Sequence, residues 1–270
     1  MALIYLFTSP LAPLSLTHSL SLTLSRTLRL TDVLILRVEN SFDMYTPIEV
    51  EFLRSSYGMS LDELVMTHEP VRRTALPAHR RGGDESTAGG DDGAATTQKL
   101  GVPKELWRLI DALWSGKALM EKDLFQAAAD PAEVAAIREA LDCGTDFPPH
   151  CTPHAYTEAL TSLLAALPRP LLPPDLYPTV EVDEFTHRQL CKRFLDALPP
   201  LSYNVFVYVT SFLREVLAQQ NYNRTSADKL ALVCVGCMTP PVEEGKVAEA
   251  EKRLTALKEL ISQLLTVSSL

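Results

Sequence analysis

Apolar residues recur at three- and four-residue steps through most of the chain after residue 100, which is the period of an amphipathic helix. The first such segment carries five large apolar side chains at this spacing: Leu106, Trp107, Ile110, Leu113 and Trp114. Pro103, just before them, suits a first helical turn. The spacing predicts a helix that buries this face.

End signals mark the helices that follow. The sequence Asp130-Pro-Ala-Glu133 combines an N-cap acid, a first-turn proline and a third-position glutamate, and Gly144 can end the helix that it begins. Thr152-Pro153 opens another helix, which Pro168 stops. Further helices are predicted at about 183–197, 202–220, 225–237 and 244–266. Together they indicate an all-helical domain of ordinary size.

The region before residue 77 has a different pattern. Residues 32–38 form a short apolar run and residues 48–52 alternate apolar and acidic side chains, which is typical of two β-strands joined by the turn-prone segment 39–43. Two strands alone are marginally stable in water. We therefore expect residues 31–75 to be poorly packed by themselves or to lean on the helical domain.

Two segments separate or precede these regions. Residues 77–99 hold five of the eleven glycines, which indicates a flexible linker. The first thirty residues carry ten leucines, nine serines or threonines and no acid. A signal peptide, a transit peptide and an unrelated leader are the alternatives, and the interrupting prolines and late arginines favour the last. The chain is thus divided into a leader, a partial β segment, a linker and a helical domain, at 1–30, 31–75, 76–99 and 100–266.

Composition limits the function classes. The chain has 25 basic and 34 acidic residues, a net charge of −9 and a pI near 5.2. This balance argues against a nucleic-acid binder that neutralises phosphates, and it favours basic partners over polyanions. The five cysteines are too few and too scattered for a secreted disulfide scaffold, so a reducing compartment is the simpler interpretation. The sequence contains no stretch of 18 uninterrupted apolar residues, so it predicts no membrane-spanning helix.

Candidate metal ligands are incomplete. Cys234 and Cys237 have the spacing of half a zinc site but lack a second pair, so two small residues packed in a helix are the favoured interpretation. His150, Cys151 and His154 lie among prolines, which favours a rigid loop over a metal site. No P-loop, nucleophile elbow or HExxH motif is present. The sequence predicts no cofactor.

Several motifs in the helical region resemble a Rho GTPase-activating (RhoGAP) domain. They are Leu106-Trp-Arg-Leu-Ile-Asp-Ala-Leu113, Glu121-Lys-Asp-Leu-Phe-Gln126, Leu141-Asp-Cys-Gly144, Leu167-Pro-Arg-Pro-Leu-Leu172 and Phe212-Leu-Arg-Glu-Val-Leu217. More narrowly, they are similar to the divergent RhoGAP-like domain of the inositol polyphosphate 5-phosphatase family that includes the Lowe syndrome phosphatase and the type II enzyme. Residues 32–39, 55–64 and 69–72 are similar to the end of the Ig-like ASH domain that precedes it there. The resemblance covers residues 31–266 and implies a mainly α fold, a RhoGAP-like helical bundle behind a truncated ASH remnant.

The resemblance also implies what chemistry to expect. Active RhoGAP domains carry an arginine directly after the Phe of a G-[IV]-F-R motif, where this chain has Gln126. Thr161 and Ala165 stand at positions of a lysine and an arginine, and Lys229 and Cys237 at two positions usually held by asparagine, whereas Asn223 matches. We therefore expect a pseudo-GAP, with an active GTPase-activating protein or a truncated 5-phosphatase fragment as alternatives. No phosphoinositide hydrolysis is expected, because the phosphatase domain has no counterpart in this chain.

Binding partners follow from the same family. Its RhoGAP-like domain binds Rac- and Cdc42-type GTPases, and a separate surface binds endocytic adaptor peptides with a Phe and a His. Trp107 corresponds to an aromatic residue of that peptide site, with a plain core residue as the alternative. Tyr57 corresponds to a Phe of the Rab-binding ASH surface, with packing beneath a turn as the alternative, so Rab binding is expected to be weak at most. A cytoplasmic protein that partners recruit to endosomal or Golgi membranes is the implied location.

Overall fold

The computed structural model describes residues 28–36, 44–72, 101–115, 117–178, 187–242 and 247–266. The chain divides into two compact units, Met1–Arg54 and Ser55–Leu270. The predicted linker at 76–99 and all but the last three residues of the predicted leader lie outside the described residues. Within the described residues, no helix combines the length and apolarity needed to cross a membrane.

The first unit contains a two-stranded antiparallel sheet. Strand β1 spans Leu28–Leu36 and strand β2 spans Met44–Phe52, with Leu28 opposite Phe52 and Leu36 opposite Met44. Both predicted strands are confirmed, but each begins four residues earlier than predicted, so β1 starts inside the predicted leader. Pairing accounts for the extra residues, because the first residues of each strand lie opposite the predicted part of the other strand, as with Leu28 opposite Phe52 and Met44 opposite Leu36.

The second unit is helical, which confirms the predicted fold class. Its helices within the described residues are α1 (Leu61–Met66), α2 (Lys104–Trp114), α3 (Pro131–Cys143), α4 (Pro153–Ala165), α5 (His187–Ala197), α6 (Pro200–Ala218), α7 (Gln220–Asn223), α8 (Ala227–Met238) and α9 (Val247–Thr266). Helix α4 lies at the centre, packed against α2, α3 and α8, and α9 packs against α8 and α6. The core is built mostly from leucines, together with other apolar side chains of these helices and of the loops between them.

Helix α3 has the ends that the sequence predicts. The Asp130 side chain accepts a hydrogen bond from the Ala132 backbone N–H, and Gly144 ends the helix at φ 66°, the left-handed conformation that glycine tolerates. Glu133 does not close a capping box. Its carboxylate instead accepts hydrogen bonds from the backbone N–H and hydroxyl of Thr152, at 2.9 and 2.7 Å, and these bonds lower the pKa of Glu133. Because Thr152 caps α4, the glutamate joins the starts of two helices.

Helix α2 corrects one prediction. It buries Leu106, Leu109, Ile110 and Leu113, whereas Trp107 and Trp114 are about half exposed. The tryptophans follow Leu106 and Leu113 by one position, and one residue turns a helix by about 100°. They therefore lie beside the buried stripe rather than on it.

Residues 55–72 belong to the helical unit although they precede its first long helix. Leu64 of α1 is part of the helical core. Asp142 of α3, itself buried, accepts hydrogen bonds from the backbone N–H and hydroxyl of Ser56, at 2.7 and 2.6 Å, and from the Arg72 guanidinium at 2.8 Å. The boundary between the units thus falls inside the segment predicted as one piece, 31–75, and residues 55–72 of that segment pack on the helices.

Candidate functional site

The turn that carries Gln126 has an unusual backbone. Asp123 and Phe125 have φ values of 56° and 66°, a left-handed conformation that costs energy for residues other than glycine. The backbone N–H groups of Gln126 and Ala127 both donate to the Asp123 carbonyl, at 2.9 and 3.0 Å. Leu124 between the two strained residues is fully buried. The turn therefore anchors Leu124 in the core and leaves Gln126 exposed at its tip.

Asn223 holds this turn from inside the molecule. Its backbone carbonyl accepts a hydrogen bond from the Asp123 N–H at 2.9 Å. Its side-chain amide donates to the Leu119 and Val216 carbonyls, at 2.9 and 2.7 Å, and its oxygen accepts from the Thr225 N–H at 2.9 Å. Asn223 is fully buried, so its side chain cannot itself reach a partner; it positions the turn that can.

An aromatic group supports the other side of the turn. The Phe125 ring lies 6.4 Å from the buried Phe212 ring, edge on, and the Trp114 ring lies 6.0 Å from Phe212 on its own side. Such tilted and edge-on pairs add stability beyond the area that they bury. Phe125 is thus fixed by packing, and Gln126 follows it directly.

Two adjoining pockets open where the turn meets α4. The smaller, of about 160 Å³, is lined by Gln126, Glu158 and Thr161 among others. The larger, of about 340 Å³, also contains Glu158 and Thr161 and extends to Ala165 and Cys237. The structure therefore brings together four of the predicted site residues, since Gln126, Thr161, Ala165 and Cys237 share this surface.

Lys229 lies apart from these pockets. It is exposed in the first turn of α8, and its ammonium group donates to the Arg224 carbonyl at 3.2 Å. Neither Lys229 nor Arg224 lines either pocket. Arg224 ends α7 in a left-handed conformation, at φ 59°.

The cysteines of α8 pack in the core. Cys234 and Cys237 are buried, and burial raises the pKa of both thiols, that of Cys237 to about 12. Both are therefore uncharged at neutral pH. The described residues contain no group of three or more histidine, cysteine or acidic side chains arranged to hold a metal ion.

Trp107 is on the surface. It is 53% exposed, whereas its neighbour Leu106 and the next residue of the stripe, Ile110, are each 1% exposed. The interpretation of Trp107 as a plain core residue is therefore wrong. Its place at a peptide site stays a prediction.

Tyr57 packs within the helical unit. Its hydroxyl donates to the Ala159 carbonyl of α4 at 3.0 Å, and the Arg138 guanidinium lies 4.2 Å from its ring centre. Burial raises the pKa of Tyr57 well above its usual value. The side chain is thus held on its hydroxyl and on one ring face by contacts of this chain.

Sequence reasoning missed Glu158. It lies three residues before Thr161 on a helix, and residues at that spacing share a face. A helical projection from Thr161 places Glu158 on the same face, whereas the family resemblance points only to the positions at which a basic residue is replaced.

The chain is similar in sequence and in fold to known proteins. The family model described as the RhoGAP domain matches residues 103–243. The type II inositol 1,4,5-trisphosphate 5-phosphatase of Mus musculus is 28% identical over 235 residues, which are 87% of this chain and 23% of that protein. Rho GTPase-activating protein 1 of Homo sapiens is 30% identical over 122 residues, which are 43% of this chain and 28% of that protein.

A solved structure shows the same fold. The crystal structure of human Rho GTPase activating protein 15 matches with a TM-score of 0.52 and 16% identity, over 61% of this chain and 81% of that one. At this identity the likeness concerns the fold alone. The chain spans only 23% and 28% of the two sequence relatives.

Proposed function

The chain belongs to the RhoGAP domain family, and we propose that it binds Rho-family GTPases of the Rac and Cdc42 type without accelerating GTP hydrolysis. Membership rests on the family match over residues 103–243. The predicted resemblance to the RhoGAP-like region of the inositol 5-phosphatase family is likewise confirmed, by the match to the type II enzyme over 87% of the chain. The observation that carries the proposal is Gln126 at the tip of the turn.

The proposed loss of catalysis has an electrostatic reason. A GTPase-activating protein stabilises the charge that develops on the transferring phosphoryl group with an arginine, an effect of about 10³–10⁵ in rate. The amide of Gln126 can donate hydrogen bonds but carries no charge and no guanidinium fork. The residues lining the two adjoining pockets include no lysine or arginine that could replace it.

The proposed retention of binding rests on the scaffold. Asn223, the Phe125–Phe212 contact and the buried Leu124 all hold the turn through groups other than the side chain at position 126. Loss of the arginine therefore removes a charge and leaves the surface shape that the fold presents. A shaped surface without its catalytic cation can still dock its partner.

Binding is the direct test. Titration calorimetry should detect binding of the full chain to Rac or Cdc42 loaded with a non-hydrolysable GTP analogue. The GDP-loaded form of each GTPase is measured in parallel. Absence of binding to either nucleotide form of both GTPases would overturn the proposal.

A second function is favoured by the exposure of Trp107. We propose that α2 offers this indole as an anchor for a short helical peptide with a Phe and a His, of the kind found in endocytic adaptors. Half of the indole surface is free, and tryptophan is enriched among the residues that dominate interface energies.

The peptide proposal predicts a selective loss. Trp107→Ala should weaken peptide binding at least ~10-fold while leaving GTPase binding unchanged, since truncating an anchor residue of an interface costs about 2 kcal/mol or more and tryptophan is enriched among such anchors. Leu232→Ala removes a similarly exposed apolar side chain from α8, 61% exposed, and is the matched control. Equal peptide affinities for the three proteins in a fluorescence titration would contradict this role.

We further propose weak Rab binding through Tyr57 and recruitment of the protein to membranes by its partners. Rab binding through Tyr57 would have to use a side chain whose hydroxyl is already bonded to Ala159. Recruitment from the cytoplasm to endosomal or Golgi membranes would follow from the adaptor peptides rather than from a surface of this chain. Phosphoinositide hydrolysis is not part of the proposal.

A further inference from the structure

The two adjoining pockets beside Gln126 carry a single formal charge, and it is negative. Of the residues that line them, Glu158 of α4 is the only glutamate, and none is an aspartate, lysine, arginine or histidine. The other polar lining groups, such as Gln126, Thr161 and Ser162, are neutral. Cys237 is neutral as well, because its pKa is raised to about 12.

The Glu158 carboxylate is exposed and available. It forms no ion pair with any cation in the described part of the chain, and the hydroxyl of Thr161 donates to the backbone carbonyl of Glu158, at 3.1 Å, rather than to its side chain. The carboxylate is therefore hydrated in the free protein and can exchange water for a partner's donor.

This arrangement determines which ligand chemistry suits the pockets. A phosphate would meet a carboxylate without a neighbouring cation among the lining residues, and like charges at close range repel. A guanidinium or ammonium group would meet a carboxylate, and Gln126 and Thr161 add oxygen atoms that can accept its remaining hydrogens. The net charge of −9 favours approach of a basic surface in the same sense.

We propose that Glu158 is a specificity residue of the GTPase-binding face, and that its carboxylate pairs with an arginine or lysine side chain of the bound GTPase. This inference rests on the proposed function. It makes the face selective for GTPases that present a basic side chain opposite the Gln126 turn. The two adjoining pockets would thus receive a basic side chain of the GTPase, whereas the same face of a catalytic RhoGAP domain presents its own basic side chains to the nucleotide.

The test compares three variants of the full chain by calorimetry against GTP-analogue-loaded Rac and Cdc42, at low and high salt. Glu158→Gln keeps the shape and removes the charge, and should weaken binding about threefold, the range measured for solvent-accessible ion pairs. Glu158→Lys should weaken it by about tenfold or more, since like charges then face each other. Glu251→Gln, an exposed glutamate of α9, is the matched control and should bind like the unaltered chain.

The salt dependence provides a second measurement. An ion pair at the rim of an interface is screened, so the difference between the unaltered chain and Glu158→Gln should shrink at high salt. Equal or tighter binding by Glu158→Gln, with the unaltered chain still binding, would overturn this inference and leave the proposed function intact. No binding by the unaltered chain would overturn both.

Discussion

Glu105 in the first turn of α2 is a buried carboxylate without hydrogen-bond partners. Its side chain is 1% exposed, neither oxygen has a partner within hydrogen-bond reach, and the nearest cation is the Lys104 ammonium at 3.6 Å. That ammonium also donates to the Thr67 and Glu69 carbonyls. Burial raises the pKa of Glu105 above its ordinary value of 4.5, and the carboxylate of Asp142 adds to the shift.

This raised pKa predicts a pH-dependent gain from Glu105→Gln. A carboxyl whose pKa is higher in the folded protein binds more protons there than in the unfolded chain, so its contribution to stability is lost as pH rises from 4.5 through the folded pKa. The neutral amide avoids that loss. Urea unfolding should show Glu105→Gln to be more stable than the unaltered chain at pH 7–8, with the difference vanishing toward about pH 4.

Glu259→Gln, an exposed carboxylate of α9, is the control and should show no such pH-dependent gain. A Glu105→Gln protein that is less stable at neutral pH would mean that the charge is stabilised by contacts other than those described.

At the scale of single residues, the sequence shows which side chain is present at a site position, but it does not show which partners that side chain contacts in the fold. The absence of an arginine at position 126 is evident from the sequence, because it depends on the identity of that single residue. The part played by Asn223 cannot be read in this way, since its hydrogen bonds to Leu119 and Asp123 join residues about 100 positions apart and form only when the chain folds. The burial of Glu105 was equally hidden, because a charged residue in a first helical turn is usually solvated.

Helix α1 illustrates the scale of elements. It has six residues, too few to be stable alone, and begins with a capping box in which Ser60 and Glu63 exchange hydrogen bonds. Its attachment is Leu64, which is 2% exposed within the helical core. The short helix is therefore held by one buried leucine and by the Ser56–Asp142 contacts beside it.

This attachment predicts that Leu64→Ala destabilises the helical unit by about 2–4 kcal/mol, the cost of a buried leucine cavity that relaxes only in part. Met66→Ala removes a side chain of the same helix that is 78% exposed and should change the unfolding free energy by less than about 0.5 kcal/mol. Guanidinium unfolding of both variants measures the difference. If Leu64→Ala changed the free energy of unfolding as little as Met66→Ala does, residues 55–72 would contribute little to the stability of the helical unit.

The elements themselves were mostly predictable where local chemistry decides. Asp130, Gly144 and Thr152 fix helix ends by side-chain caps or a left-handed φ, and these need no distant partner. The course of residues 55–72 was not predictable, because it depends on the hydrogen bonds of Ser56 and Arg72 to Asp142, which is 86 and 70 positions away. Glu133 likewise has the spacing of a local cap but bonds to Thr152, since folding brings a second helix start beside it.

At the scale of the whole molecule, the chain combines a family scaffold with a face of altered charge. The helices reproduce the RhoGAP fold, and the turn at 123–126 is hydrogen-bonded to Asn223. The surface around that turn offers a neutral amide and one carboxylate where a catalytic face needs cations. These features are what the proposed function requires, namely a scaffold that docks a Rho-family GTPase without a cation that would accelerate GTP hydrolysis.

Single-turnover GTP hydrolysis by Rac and Cdc42, with and without a saturating amount of the full chain, tests this account most directly. The unaltered chain and Gln126→Ala should leave the rate within about twofold of the intrinsic rate, whereas Gln126→Arg should raise it at least ~10-fold, part of the full arginine effect. An acceleration above ~10²-fold by the unaltered chain would contradict the account, since that is much of what an arginine supplies.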